Sequence, residues 1–67
     1  MKEVICEKYG VEYTDKMRHM SLNEFMSYMV DLGFELEGLA FNYYKWLGFS
    51  DRMAKVKVSE VLRGEQL

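Results

Sequence analysis

The chain has 67 residues, of which 49% are hydrophobic and 15% aromatic, and its net charge is −2. This length bounds it to one small domain without linkers, and its slight acidity gives no overall reason to expect nucleic-acid binding. One cysteine excludes an internal disulfide, and one cysteine with one histidine is too few for a tetrahedral zinc site.

The sequence pattern predicts neither a membrane span nor an export signal. No apolar stretch approaches the roughly 18 residues needed to cross a membrane. Glu3 and Glu7 interrupt the first ten residues, which therefore do not have the apolar core of a signal peptide. Because a lone free thiol is typical of a reducing compartment, we expect a cytoplasmic protein with no membrane contact.

The first twenty residues are compatible with two structures. The segments Val4-Ile5-Cys6 and Val11-Glu12-Tyr13 flank Tyr9-Gly10, a pattern that predicts a short hairpin. Equally, residues 3–9 can form a helix that ends at Gly10, followed by a single turn capped at Thr14. The residues leave both alternatives open.

A helix is predicted to begin after Ser21. Ser21 and Glu24 have the spacing of a capping box, in which each side chain bonds to the main-chain N–H of the other residue. Apolar residues then recur at helical spacing: Leu22, Phe25, Met26, Met29 and Leu32. Because Gly33 suits the left-handed conformation that ends a helix, we predict a helix over about 22–32.

A second helix is predicted over about 35–47, ending at Gly48. The residues of its core face are Leu36, Leu39, Ala40, Tyr43 and Leu47. The tripeptide Leu-Gly-Phe ends both this helix and the preceding one, which predicts that Phe34 and Phe49 pack back on the last helical turn.

This second helix is apolar nearly all round. Phe41, Tyr44 and Trp46 lie away from the core face, so this helix is either buried on all sides within the domain or has a second apolar face that a partner covers. Gly38 lies inside the helix, where glycine costs about 1 kcal/mol relative to alanine. We therefore expect another helix to approach closely at Gly38.

A third helix is predicted over about 51–63, with Ser50 as its N-cap and Asp51 in its first turn. The residues that share its core face are Ala54, Val58, Val61 and Leu62. Alternating Lys and Val at 55–58 are also typical of a strand, but the helical signals at both ends favour a helix. The predicted fold is a mostly α, compact bundle of three short helices, with an N-terminal hairpin or extra helix, in a single domain over 1–67.

Catalysis has little support in the sequence. His19 is the only histidine and follows Asp15 by four residues, but no nucleophile motif accompanies this pair. Cys6 follows two apolar residues and is predicted to be buried. We expect no enzyme activity, no catalytic residues, no cofactor and no metal.

Charge is distributed unevenly along the chain. Residues 1–44 carry four Lys or Arg against eight Asp or Glu, whereas residues 45–63 carry five against two. Short helices joined by tight turns, with a basic last helix, are typical of a helix-turn-helix DNA-binding regulator, which is our alternative interpretation. Its candidate nucleic-acid contacts are Lys45, Arg52, Lys55 and Lys57. Asp51 and the acidic body oppose this alternative.

Protein binding is the favoured function. The surplus aromatic residues are candidate interface residues: Tyr28, Phe41, Tyr44 and Trp46. We expect a small regulator or inhibitor that docks on a larger protein and also self-associates, as a homodimer in the simplest case. Compact acidic chains of this kind are common among phage and mobile-element products that block host proteins.

Overall fold

The computed structural model describes residues 1–64, and this part of the chain contains five helices and no strand. The helices are α1 (Lys2–Tyr9), α2 (Asp15–Arg18), α3 (Leu22–Asp31), α4 (Leu36–Trp46) and α5 (Asp51–Leu62). The predicted mostly α fold with three helices after residue 21 is therefore confirmed. Residues 65–67, which we included in the single domain, lie outside the described residues.

The structure decides the two open alternatives in favour of helix. Residues 1–20 form α1 and the single turn α2 rather than a hairpin, and residues 54–62 belong to α5 rather than to a strand. Gly10 ends α1 with φ of 70°, and the Val11 N–H donates to the Cys6 carbonyl at 2.8 Å. This bond closes the last turn of α1 as in a Schellman motif.

The predicted helix boundaries are made by side-chain caps and by glycine. Ser21 and Glu24 form the capping box, with N···O distances of 3.2 and 3.0 Å, and Ser50 Oγ accepts from the Met53 N–H at 3.2 Å. Gly33 and Gly48 end α3 and α4 with φ of 108° and 101°. These local interactions define where each helix begins and ends.

The two phenylalanines that follow these glycines pack differently. Phe49 packs back on α4 as predicted, since its N–H donates to the Tyr44 carbonyl at 3.2 Å and its ring lies 5.8 Å from the Tyr44 ring. The Phe34 N–H closes the last turn of α3, but its ring lies 4.9 Å from Tyr9 of α1. Phe34 therefore connects α3 to α1.

The core consists of two clusters that meet at α4, the helix that packs against α1, α3 and α5. The first cluster contains Ile5, Cys6, Met17, Phe25, Met26, Met29 and Leu39. The second contains Ala40, Tyr44, Ala54, Val58 and Val61. Leu36 and Tyr43 of α4 are partly buried and pack against both clusters. Three of the six methionines are thus core residues.

Some residues that we predicted to be core are half-exposed. Leu32 and Leu47 are the C-cap residues of α3 and α4, where the chain leaves the helix, and they are 50% and 47% exposed. Leu62 follows the buried Val61 and lies about 100° further round α5. It is therefore turned out of the core and is 53% exposed.

Two polar contacts hold α1 in place. Lys2 Nζ donates to the carbonyl oxygens of Met17, Arg18 and Met20 at 2.7–2.9 Å, at the end of α2. The Tyr9 hydroxyl approaches α4 at Gly38, where an added Cβ would lie 3.1 Å from it, so the close neighbour at this glycine is a side chain of α1 rather than the body of a helix. These contacts fix α1 against the rest of the fold and position the residues that α1 exposes.

Candidate interaction surfaces

The structure does not bring the four predicted interface aromatics together. Tyr28 is partly buried against the first core cluster and lines a shallow depression with Asp31 of α3 and Met20, which precedes α3. Phe41 is partly buried between α4 and α5. Phe41 and Trp46 are five residues apart and therefore point about 140° apart around α4. They belong to two separate surfaces.

Our placement of Tyr44 away from the core face is wrong. Tyr44 is 8% exposed and belongs to the second core cluster, where its ring packs edge-on against Tyr43 and Phe49. The reason is that α5 packs on the side of α4 that we assigned to a partner. Part of the apolar surplus of α4 is thus buried within the chain itself, and Tyr44 is not available to a partner.

Trp46 is exposed, as the sequence predicted, on a surface formed by α1 and α4. The Trp46 side chain is 51% exposed and Val4 of α1 is 46% exposed. Both line a shallow groove of about 240 Å³, whose other lining residues are Ile5, Lys8, Asn42 and Lys45. We call Val4, Lys8, Asn42, Lys45 and Trp46 the Trp46 surface.

Helical spacing explains why these side chains face the same groove. Val4 and Lys8 are one turn apart on α1, and Asn42 and Trp46 are one turn apart on α4. Ile5 is buried beneath them, with 1% of its surface exposed. The surface therefore has an apolar centre supported by the core, with a lysine on each of its two helices.

The two lysines of the Trp46 surface have different surroundings. Lys45 Nζ forms an ion pair with Asp51 Oδ1 at 2.7 Å and donates to the Phe49 carbonyl at 3.1 Å. The hydrogen bond and charge of Lys45 hold the pKa of Asp51 below its usual value. Within residues 1–64, Lys8 forms no ion pair. Lys8 therefore carries the charge most available to a partner.

A second, larger groove of about 600 Å³ lies between α4 and α5, and we call it the α4/α5 groove. The buried or partly buried residues within it are Gly38, Phe41 and Val58. Its exposed residues are Glu35 and Glu37 on the α4 wall and Lys55, Ser59 and Leu62 on the α5 wall. The two walls thus carry opposite charge over an apolar floor.

Two of the four candidate nucleic-acid contacts already have partners within the chain. Lys45 is paired with Asp51, and the Lys57 ammonium lies 5.8 Å from the centroid of the Phe49 ring. Arg52 and Lys55 are exposed on α5, and Lys55 belongs to the wall of the α4/α5 groove. The structure thus leaves fewer cations for phosphate contacts than the sequence suggested.

The residues considered for catalysis lie in unrelated environments. His19 is 74% exposed in its side chain, and its Nδ1 lies 2.9 Å from the main-chain oxygen of Asp15, whose carboxylate pairs with Arg18. Cys6 is buried, as predicted, with its Sγ 3.8 Å from Met17 Sδ. Burial raises the pKa of this thiol, so that it stays protonated and unreactive at neutral pH.

Neither a metal centre nor a membrane span is present in the described part of the chain. Within residues 1–64, no group of three or more His, Cys, Asp or Glu side chains could hold a metal ion. In the same residues, no helix combines the length and the apolar character that a membrane span requires.

Comparisons with known proteins add no family. The chain matches no protein-family model, and no curated protein or solved structure shows significant similarity to it. The Trp46 surface and the α4/α5 groove are therefore the features on which a functional proposal can rest.

Proposed function

We propose that this chain is a small protein-binding module of the cytosol that regulates or inhibits a larger protein by docking on it through the Trp46 surface. The observation that carries the proposal is the half-exposed Trp46, beside the half-exposed Val4, on two helices packed against each other. Tryptophan buries a large area with few rotatable bonds and is enriched among residues that dominate binding energy. A cytosolic location is supported by the single cysteine, which has no second cysteine to pair with.

The charges around Trp46 favour a particular kind of partner. Lys8 of α1 and Lys45 of α4 both line the groove beside Val4 and Trp46. A complementary segment would place an aliphatic or aromatic side chain against Trp46 and Val4, with a carboxylate near Lys8. We therefore expect the partner to present an acidic segment that also carries an apolar residue.

The packing of α1 supports binding at this surface without rearrangement. The contacts of Lys2 with the end of α2 and of Tyr9 with α4 hold α1 in place before a partner arrives. Because a preorganised surface loses less conformational freedom on binding, more of the contact energy becomes affinity. A module of this size then acts by occupying a surface of its partner, as a regulator or inhibitor does.

The proposal is tested by selecting ligands from a displayed library of random peptides on the immobilised chain. We expect the selected peptides to share an Asp or Glu next to an aliphatic or aromatic residue. Purified peptides should bind Trp46→Ala at least about tenfold more weakly than the wild type, a loss of about 1.4 kcal/mol.

Val30→Ala is the matched control, because Val30 is an exposed apolar residue of α3 that lines neither groove. This variant should bind the peptides with unchanged affinity. Selected peptides without acidic residues, or equal binding to Trp46→Ala and wild type, would contradict the proposal. Tyr44 is left unchanged in this experiment, since it is a core residue whose removal would test folding instead.

The helix-turn-helix alternative is not part of this proposal. Lys45 and Lys57 have partners within the chain, and Asp51 lies at the N-terminus of α5, where a phosphate would approach. A mobility shift of duplex DNA that is present at low salt and lost by about 200 mM salt would support that alternative instead.

A further inference from the structure

The α4/α5 groove has a charge pattern that complements itself. Glu35 and Glu37 stand on the α4 wall, and Lys55 stands on the α5 wall. Among the described residues, none of these three side chains forms an ion pair within the chain. The opposite charges of the two walls are therefore both available to an external partner.

Two copies can face each other groove to groove when they are related by a two-fold rotation axis parallel to the groove. In this arrangement, the α4 wall of each copy lies over the α5 wall of the other. Each Lys55 then faces the glutamates of the second copy, and the same pair forms twice because a two-fold interface is isologous. We propose that the α4/α5 groove binds a second copy of this chain and forms a symmetric homodimer.

The apolar residues of the groove supply the contact area for this dimer. Phe41 and Val58 lie within the groove, and Gly38 contributes no side chain that would fill it. Leu62 stands at the groove with 53% of its surface exposed, although it is a large apolar residue. Burial of Leu62 against the second copy removes this exposed apolar surface from water, which favours association.

The dimer leaves the Trp46 surface open. Phe41 and Trp46 point about 140° apart around α4, so a second copy in the α4/α5 groove does not cover Trp46. The inference therefore does not rest on the proposed docking function, and either can fail without the other. In particular, Trp46→Ala should dimerise like the wild type.

Analytical ultracentrifugation measures the association directly. We expect the wild type to form dimers in low salt at concentrations up to about 1 mM, and Leu62→Asp to weaken the dimer at least tenfold. Val56→Asp is the matched control, because Val56 is 47% exposed on the same helix but lines neither groove. It should dimerise like the wild type.

Charge reversal tests the pairing itself. Glu37→Lys and Lys55→Glu should each weaken self-association, because each variant places like charges opposite each other in its own dimer. An equimolar mixture of the two variants should form a heterodimer, since residue 37 of each chain then faces a residue 55 of opposite charge, and the double variant should again form homodimers.

Three results would overturn the proposed dimer. A wild type that stays monomeric at about 1 mM in low salt would exclude the dimer. A dimer that Leu62→Asp leaves unchanged would place the interface elsewhere. A mixture of the two charge-reversal variants that stays monomeric would show that the walls do not pair as proposed. Circular dichroism of each variant verifies that these exposed substitutions preserve the fold.

Discussion

The phenol oxygen of Tyr9 accepts a hydrogen bond of 2.9 Å from the side-chain amide of Asn42, which lies 33 residues further along the chain. The same amide nitrogen donates to the Gly38 carbonyl at 2.9 Å. This contact joins α1 to α4 on the side where Val4 and Trp46 share a groove. The Trp46 surface thus depends on a polar contact between residues that lie outside its apolar centre.

Substitution of Gly38 tests this contact. Gly38→Ala removes a helix penalty of about 1 kcal/mol, but the new Cβ would lie 3.1 Å from the Tyr9 oxygen, which must shift by a few tenths of an ångström. We expect the two effects to offset each other in the wild type. In the Tyr9→Phe background, which lacks the oxygen, Gly38→Ala should raise the free energy of unfolding by about 1 kcal/mol. Urea denaturation of the four proteins measures the difference, and equal effects in both backgrounds would contradict the account.

Lys2 provides the second test of how α1 is held. Its ammonium group donates to three carbonyl oxygens, so Lys2→Met should lower the free energy of unfolding by about 1 to 2 kcal/mol. Lys2→Arg should restore only part of this loss, because a planar guanidinium does not converge on three acceptors as an ammonium does.

Lys8→Met is the matched control for Lys2, since Lys8 lies on the same helix and its side chain forms no hydrogen bond or ion pair within residues 1–64. Denaturation should show a change below about 0.5 kcal/mol. If Lys8→Met were as destabilising as Lys2→Met, the loss would reflect the charge or length of a lysine rather than the bonds to α2.

Two carboxylates should make stability depend on pH in the acid range. A hydrogen bond from Lys45 lowers the pKa of Asp51, and hydrogen bonds from the main chain and side chain of Ser21 lower the pKa of Glu24. Because their folded-state pKa values lie below the unfolded values of about 3.9 and 4.3, their contribution to stability is present above those values. It should disappear as the pH falls through the folded-state pKa values.

Lys45→Met removes the hydrogen bond that lowers the pKa of Asp51, and therefore isolates the contribution of Asp51 to the pH dependence of stability. NMR titration of the carboxyl groups should show the pKa of Asp51 returning towards its ordinary value, while the pKa of Glu24 stays low. Lys57→Met is the control, because Lys57 lies over Phe49 and does not bond to Asp51. A pKa of Asp51 that Lys45→Met leaves unchanged would disprove the assignment.

The features of the fold that the sequence predicted are those determined within a few residues. The Ser21–Glu24 capping box and the glycine stops at Gly33 and Gly48 depend on residues close together in the chain. Gly10 fits both a hairpin turn and a helix end, so residues near it did not separate the two alternatives. The deciding interactions are long-range, since Lys2 bonds to the end of α2 and Cys6 is buried in the first core cluster.

The candidate site was predicted less completely, because its composition depends on how the helices pack against one another. The sequence predicted the exposure of Trp46 correctly, but it placed Tyr44 on the same free side because helical spacing does not show where α5 packs. It gave no reason to select Val4 or Lys8, since their position beside Trp46 depends on how α1 packs on α4. The one available indication was Gly38, whose place inside a helix predicted a close neighbour.

The measurement that tests the docking surface most directly is an NMR titration of the indole N–H. Trp46 is the only tryptophan, so this group gives a single resonance that reports on the proposed surface. On addition of a selected acidic peptide, we expect the indole resonance and the backbone amides of Val4 and Lys8 to shift together and saturate at one affinity. The amide of Leu62 should stay unchanged. An unmoved indole resonance, with shifts confined to the α4/α5 groove, would contradict the account.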